Sequence, residues 1–232
     1  MYNIFGQVRN NFFSPKGSFF LNNFDIGNLP HGGSIYFMGI GGISMSGLAE
    51  ILIDRGFDVY GSDSAESHLV SRLRSMGAKI KIGQRKENID RRFDLIVYTA
   101  AIKPDNEEFI AALESGAPVI DRATLLGAVM RVYKYSVAVA GTHGKTSTTS
   151  MITHIMLTCD CDPTVSIGGE LEAIGGNIRV GKSDYFVCEA CEYYQSFLKF
   201  FPFVSVILNV EEDHLDYFRN LDHIIETFKG FA

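Results

Sequence analysis

The sequence predicts an α/β fold in which two successive units each form a mainly parallel sheet covered by helices. Short apolar runs alternate along the chain with stretches whose apolar residues recur at helical spacing. Two of the apolar runs end in glycine-rich turns that open into helices, at residues 39–47 and 141–147. Strands that alternate with helices are joined by crossovers, so both sheets should be buried between helical layers.

The first predicted unit spans residues 34–134 and follows an irregular arm, residues 1–33, that is rich in Asn, Phe and Gly. Five apolar runs are predicted to be its strands: 35–38, 59–60, 80–82, 95–98 and 118–120. Apolar residues at helical spacing predict the helices between them: Leu48, Ile51 and Leu52; Leu69, Val70, Leu73 and Met76; Phe109, Ile110 and Leu113. The unit closes near residues 125–133.

The second predicted unit spans residues 135–232 and begins with a strand over 137–140, a turn over 141–145 and a helix over 146–158. Its later strands are predicted at 165–167, 185–188 and 204–208. The last helix carries apolar residues at i, i+3, i+4 and i+7: Leu221, Ile224, Ile225 and Phe228. Because so few strands follow, we expect this sheet to be incomplete.

Composition excludes several classes of function. A net charge of −6 leaves no basic footprint for nucleic acid, and no apolar run is long enough to span a bilayer. The first ten residues lack a basic region followed by an apolar stretch, so we expect a cytoplasmic protein that uses neither membrane nor nucleic acid.

The four cysteines form a C-x-C and a C-x-x-C pair: Cys159, Cys161, Cys188 and Cys191. This spacing allows a zinc site. We favour reduced, packed thiols, because Cys188 ends a predicted buried strand and neither pair lies in a compact knuckle.

The turn after the first strand of the second unit predicts a phosphate-binding loop. Glycines let backbone N–H groups approach phosphate oxygens, and the following helix N-terminus favours an anion. Lys145 would supply a charge to the β- and γ-phosphates, and Thr146 a hydroxyl to Mg²⁺. The full Walker pattern has a glycine where Val139 stands, so the alternative is an ordinary glycine-rich turn. The predicted ATP-binding residues are Gly141, Thr142, His143, Gly144, Lys145, Thr146 and Ser147.

The turn at Gly39, Gly41 and Gly42 resembles the G-x-G-x-x-G of Rossmann-like folds, with Ser44 in place of the third glycine. Asp63 ends the second strand, where a ribose partner is expected. NAD, FAD and UDP-sugars all suit such a turn, and close packing of helix on sheet also demands glycine. Two phosphate-binding turns in one chain suggest one nucleotide as substrate and another as energy source.

Acidic and imidazole groups follow two later strands. Glu189 and His214 both fall at the sheet edge where ligands bind, and together with Thr146 they are predicted to hold Mg²⁺ beside the phosphate loop. We interpret Glu211 and Glu212 as part of a solvated acidic loop.

These residues together resemble the ATP-dependent Mur ligases, from about Ile35 to the end of the chain. G-T-H-G-K-T at 141–146 is similar to the family's ATP loop. M-G-I-G-G-I-S-M-S-G-L-A-E at 38–50 resembles the UDP-binding turn of the members that add L-alanine to UDP-N-acetylmuramate. G-S-D at 61–63 and D-H-L-D at 213–216 fit as well.

The resemblance implies that a Rossmann-like first unit holds UDP-N-acetylmuramate and that an incomplete P-loop-type ATPase unit holds ATP and Mg²⁺. It implies ligation of L-alanine through an acyl phosphate, in peptidoglycan precursor synthesis, with Lys145, Glu189 and His214 as catalytic residues. The implied contacts to the UDP-substrate are Gly39, Gly41, Gly42, Ser44, Met45, Asp63 and Asn177. Gly168, Gly169 and Asn177 match a family stretch that touches the muramyl group.

The chain departs from the family pattern at several positions. Cys191 stands where an aspartate is common, residues 99–102 read T-A-A-I where serines are usual, and Ser147 replaces a frequent threonine. Family members continue with further ATPase strands, an adenine-contacting stretch and a third domain that binds the amino acid. We therefore expect a truncated form that turns over little by itself.

Three alternatives stay open. A ligase that reattaches recycled murein peptide to UDP-N-acetylmuramate would share the ATP loop. An NAD-binding redox or sensor module would use residues 39–63 and leave Lys145 idle. A non-catalytic nucleotide-binding partner would bind ATP without ligation. The sequence leaves the oligomeric state open.

Overall fold

The computed structural model describes residues 24–232, which form two five-stranded sheets with helices around them. The first unit contains, in chain order, β1 (Ser34–Met38), α1 (Ile43–Asp54), β2 (Asp58–Asp63), α2 (His68–Ser75), β3 (Lys79–Ile82), β4 (Leu95–Tyr98), α3 (Glu107–Glu114), β5 (Val119–Asp121) and α4 (Arg122–Met130). The second contains β6 (Tyr135–Ala140), α5 (Lys145–Thr158), β7 (Thr164–Leu171), β8 (Gly176–Arg179), β9 (Tyr185–Glu189), β10 (Val204–Ile207) and α6 (Leu221–Phe231). Short 3₁₀ segments lie at Ile26–Asn28, Lys86–Asn88, Glu172–Ile174 and Tyr193–Lys199.

The first sheet is fully parallel, in the order β3-β2-β1-β4-β5. Residues 35–38 of its central strand β1 are all buried, which explains their continuous apolar character. The strand order reverses at β1, so the glycine turn that follows it lies at the topological switch point where ligands bind. The predicted α/β class and parallel pairing are confirmed for this sheet.

The second sheet has the order β10-β6-β9-β7-β8, and its edge strand β8 runs antiparallel to β7. Strand β8 was not predicted from the sequence, and β7 extends four residues beyond its predicted end, because Gly168-Gly169 and Gly176-Asn177 are typical of turns. A register irregularity between Ser166 and Leu171 accommodates the two glycines inside the strand. The central strand β6 pairs in parallel with β9 and β10, so three strand ends meet at one edge.

The two units pack closely at two helix faces. Ile178 of β8 lies against α1 where Gly47 has no side chain, since a Cβ there would lie 2.1 Å from Ile178 Cδ1. The Lys199 carbonyl lies against α4 at Gly127, where a Cβ would lie 1.9 Å from that oxygen. One connected core runs through both units.

The arm predicted for residues 1–33 lies outside the described residues up to residue 23. From Phe24 onward the chain packs on the first unit, and Ile26 is buried in its core. None of the helices within residues 24–232 has the length and apolar content needed to cross a bilayer.

Candidate active site

The predicted phosphate loop connects β6 to α5, at the edge where β9 and β10 also end. Gly141 (φ 144°) and Gly144 (φ 84°) take backbone conformations that L-residues rarely adopt. A Cβ on Gly141 would also lie 3.1 Å from Leu208 Cβ, so glycine is required there on two grounds. Gly144 is the N-cap of α5, and the helix therefore begins at Lys145 with its positive end toward the loop.

The loop is held from the segment that follows β10. Asn209 accepts a hydrogen bond from His143 N at 2.9 Å and donates one to His143 O at 3.1 Å. Thr142 Oγ1 accepts a hydrogen bond from Glu211 N at 2.9 Å. His143, predicted to be an ATP-binding residue, therefore shapes the loop through its backbone while its exposed ring stays near Glu211.

Lys145 folds back over its own loop. Its ammonium donates to Gly141 O at 2.5 Å and Thr142 O at 3.1 Å, and it lies 3.1–3.2 Å from both carboxylate oxygens of Glu192. The Glu192 side chain is 2% exposed, so its charge is compensated mainly by this ion pair. The cation predicted to meet phosphate thus lies at the mouth of the loop, held by Glu192, a carboxylate of the segment that follows β9.

Glu189 bridges two other elements of the second unit. As the last residue of β9 it accepts a hydrogen bond from Gly168 N of β7 at 2.8 Å and one from Thr146 Oγ1 of α5 at 3.1 Å. A Cβ on Gly168 would lie 2.9 Å from Glu189 Oε2, so Gly168 makes room for this carboxylate. The predicted metal-binding pair Thr146 and Glu189 is therefore assembled in direct contact.

His214 lies beside Glu192 and Asp213. Its Nε2 is 3.9 Å from an oxygen of each, and within residues 24–232 these three side chains form the group best arranged to hold a metal ion. The sequence predicted instead that His214 shares metal binding with Thr146 and Glu189. The order β10-β6-β9-β7 explains the difference, because Glu189 turns toward β7 whereas His214 approaches from the β10 side.

An aromatic ring covers the imidazole. The Tyr193 ring lies with its centroid 4.4 Å from that of His214, and its hydroxyl donates to Asp216 at 2.7 Å. Hydrogen bonds with Asp216 and Tyr194 raise the pKa of Tyr193 above its ordinary value.

A side chain of the first unit stabilises that unit's own glycine turn. Gly41 N donates to Asp63 Oδ2 at 2.7 Å, so the acid predicted to meet a ribose holds the turn with one oxygen. Met45 is 2% exposed and packs in the core, which leaves only its backbone for ligand contact. Asn177 of β8 donates to Ile43 O at 3.4 Å and so lies beside the start of α1, next to Gly42 and Ser44.

All four cysteines are free thiols, and the metal-capable group found among the described residues contains none of them. Cys188 is buried on β9, and this burial raises the pKa of its thiol. Cys191 is exposed in the loop between Glu189 and Glu192.

Comparison with known proteins agrees with this architecture. Residues 34–134 match the Mur ligase family catalytic domain, and residues 139–232 match the Mur ligase middle domain. A UDP-N-acetylmuramate–L-alanine ligase of Caldanaerobacter subterraneus subsp. tengcongensis is 60% identical over 198 residues, and one of Clostridium perfringens is 55% identical over 198 residues. Each alignment covers 85% of this chain and 43% of the relative, so the chain spans less than half of their length.

Two solved structures share the fold. The UDP-N-acetylmuramate–alanine ligase of Thermotoga maritima superposes with a TM-score of 0.77 at 33% identity, covering 86% of this chain and 46% of that one. The UDP-N-acetylmuramate:L-alanyl-γ-D-glutamyl-meso-diaminopimelate ligase of Neisseria meningitides gives a TM-score of 0.76 at 29% identity, covering 86% and 67%. The chain belongs to the Mur ligase family and carries regions that match its catalytic and middle domains.

Proposed function

We propose that this chain supplies the UDP-substrate and ATP sites of an ATP-dependent ligase that joins L-alanine to UDP-N-acetylmuramate in peptidoglycan precursor synthesis. The observation that carries the proposal is the convergence of Lys145, Glu189, Glu192 and His214 around one phosphate loop. The identity of 54–60% to relatives named as L-alanine ligases supports this choice of substrate.

The residues fit a magnesium nucleotide. Gly141 and Gly144 leave backbone space for phosphate oxygens, and the start of α5 favours the negative charge. Lys145 would exchange its contacts with loop carbonyls for phosphate oxygens and neutralise charge that develops during transfer. Mg²⁺ would be held at two places, by Thr146 and Glu189, which contact each other, and by His214 with Glu192 and Asp213; it would supply charge neutralisation for the phosphates and the substrate carboxylate.

The substrate carboxylate would attack the γ-phosphate, releasing ADP and forming an acyl phosphate. The amine of L-alanine would then attack the acyl carbon, forming the amide and releasing phosphate and a proton. Gly39, Gly41, Gly42 and Ser44 would hold the UDP group at the switch point of the first sheet. Asn177 reaches the same point from the second unit, so a ligand there would contact both units. A cytoplasmic protein is consistent with these substrates.

A titration of the 232-residue chain tests the nucleotide site. We expect Mg²⁺-dependent binding of ATP, and Lys145→Ala should weaken it by about tenfold or more, because a charge-assisted contact to phosphate is removed. Lys103→Ala is the matched control, since this exposed lysine lies on another loop. Equal ATP affinity of Lys145→Ala and the unmodified chain would contradict the proposed loop.

Competition between ligands tests the substrate. UDP-N-acetylmuramate should bind, and NAD should not compete with it; binding of NAD alone would favour the redox module. Phosphate release in the presence of ATP and UDP-N-acetylmuramate distinguishes this proposal from the rival recycling ligase. L-alanine should support release and L-alanyl-γ-D-glutamyl-meso-diaminopimelate should not.

A further inference from the structure

The orientation of His214 is weakly determined by its own contacts. The residue lies in a loop without regular structure and has a left-handed backbone, with φ at 49°. Its backbone N donates to Asp213, but within residues 24–232 its ring nitrogens make no direct hydrogen bond, since Nε2 lies 3.9 Å from the nearest carboxylates. Rotation of an imidazole about χ2 is broad when nothing restrains the ring. Some other contact must set the direction of Nε2.

Tyr193 is the residue placed to do so. Its ring lies against the imidazole at 4.4 Å between centroids with an interplanar angle of 32°, a close tilted arrangement. Its hydroxyl is tied to Asp216, two residues beyond His214 on the same loop. Tyr193 follows directly after Glu192, whose carboxylate the imidazole faces. The Tyr193 side chain therefore connects the plane of the His214 ring both to Asp216 of the loop and to the neighbouring Glu192.

We propose that Tyr193 is a positioning residue that keeps the His214 imidazole turned toward Glu192 and Asp213, ready to coordinate a divalent cation. The inference rests on the proposed function, because it concerns the metal that serves the same site. Groups that orient a metal-ligating histidine usually hydrogen-bond its second nitrogen. Here an aromatic face takes that place, and the hydroxyl anchors the aromatic ring.

Mn²⁺ binding to the 232-residue chain tests the proposal. We expect Tyr193→Leu to weaken Mn²⁺ by about tenfold, the lower end for loss of a group that orients a ligand. Pulsed EPR should show coupling of Mn²⁺ to an imidazole nitrogen in the unmodified chain, and His214→Ala should remove it. Tyr193→Leu should remove most of this coupling although carboxylates still bind the ion, whereas Tyr193→Phe, which keeps the ring, should restore it.

Tyr185→Leu is the matched control, because Tyr185 begins β9, at the end of the strand opposite Glu189, and its ring stacks on Tyr135. Its Mn²⁺ affinity should stay within about twofold of the unmodified chain. Nitrogen coupling and affinity that survive in Tyr193→Leu would overturn the inference. Absence of nitrogen coupling in the unmodified chain would instead contradict the proposed metal site itself.

If Tyr193→Leu does not fold, two milder variants carry the test. Tyr193→Phe and Asp216→Ala both remove the same hydrogen bond, and Asp216 is exposed. Each should weaken Mn²⁺ by roughly threefold, and the double variant no more than either one. Unchanged affinity in both single variants would overturn the proposal.

Discussion

At the scale of single residues, two polar side chains hold the candidate site in shape. Glu192 is buried and receives the Lys145 ammonium, and Asn209 forms a reciprocal pair of hydrogen bonds with the His143 backbone. Neither of these contacts was predicted from the sequence. Their importance follows from the buried or bonded state of their polar atoms.

Asn209→Ala should loosen the phosphate loop. Loss of two hydrogen bonds to His143 should reduce the free energy of unfolding by about 1–2 kcal/mol and weaken ATP binding several-fold. Chemical denaturation and nucleotide titration measure the two effects. Asn209→Asp keeps the acceptor for His143 N, so it should lose less stability and less ATP affinity than Asn209→Ala. Unaltered ATP affinity in Asn209→Ala would show that the loop keeps its conformation without these hydrogen bonds.

At the scale of elements, a buried acid ties together four segments of the first unit. Glu108 of α3 is fully buried and accepts hydrogen bonds from Tyr36 on β1, Ser62 on β2 and Asn88 of a 3₁₀ turn, at 2.5–2.7 Å. Burial and the neighbouring carboxylate raise the pKa of Tyr36 far above its ordinary range, so the phenol stays a donor. The network holds α3 against the sheet.

Glu108→Ala should destabilise the chain by about 3–5 kcal/mol, because three buried donors lose their acceptor. Urea unfolding monitored by circular dichroism measures the change. Glu107→Ala is the control at the adjacent exposed position and should cost less than about 1 kcal/mol. A loss from Glu108→Ala as small as that of the control would mean that water replaces the carboxylate.

A second acid caps α4 and contacts the second unit. Asp121 accepts hydrogen bonds from Ala123 N and Thr124 N, and it forms an ion pair with Lys199. Burial alone would raise its pKa, but Lys199 and Thr124 outweigh that effect and hold the pKa of Asp121 below its ordinary value. The charged form is therefore favoured by folding.

This pKa shift predicts a pH-dependent contribution of Asp121 to stability. Asp121→Asn keeps the cap but loses the charge, and it should cost about 1 kcal/mol at neutral pH. Because the folded pKa is depressed, the difference between the unmodified chain and Asp121→Asn should be complete above about pH 5. It should shrink as the pH falls from about 4 and vanish below the folded pKa. Urea midpoints across pH 3–7 check this, and a difference that grows toward low pH would refute it.

At the scale of the whole molecule, the two units meet through glycines that admit the neighbour's atoms. Gly47 receives Ile178, and Gly127 receives the Lys199 carbonyl. An ion pair between Lys182 and Asp54 at 2.5 Å adds an exposed contact between α1 and the segment after β8. The contacts at Gly47 and Asp54 hold α1, which follows the glycine turn, against β8 and the segment after it.

Gly127→Ala tests the close contact between α4 and Lys199, and it should lower stability although alanine favours a helix more than glycine does. The added Cβ would overlap the Lys199 carbonyl, and the forced shift should cost about 1–3 kcal/mol. Gly230→Ala in α6 is the control, because its Cβ meets only the end of the Leu198 side chain at 3.2 Å; it should stay within about 1 kcal/mol of the unmodified chain. Thermal unfolding measures the stability of the two variants. Equal stability of both would show that the contact at Gly127 accommodates a Cβ without loss of free energy of unfolding.

The order of strands and helices was predictable from the sequence. A parallel sheet buries each strand on both faces, so each strand appears as an apolar run and each helix as apolar residues at helical spacing. The glycine turns and the G-K-T loop were predictable because steric and electrostatic demands on phosphate binding restrict the residue types. Strand β8 was not predicted, because it has only four residues, begins with Gly-Asn and buries a single side chain, Ile178, which is too few to leave an alternating pattern.

Sequence alone therefore determined the α/β class, the family and most of the residues that surround the phosphate loop. Only tertiary structure decided how they are partnered: Lys145 with Glu192, Glu189 with Thr146, and His214 with Tyr193 and Asp213. The reason is that motif spacing is local, whereas pairing depends on the order in which β10, β6, β9 and β7 lie side by side. That order arises from burial over the whole sheet, which no short segment of the chain encodes.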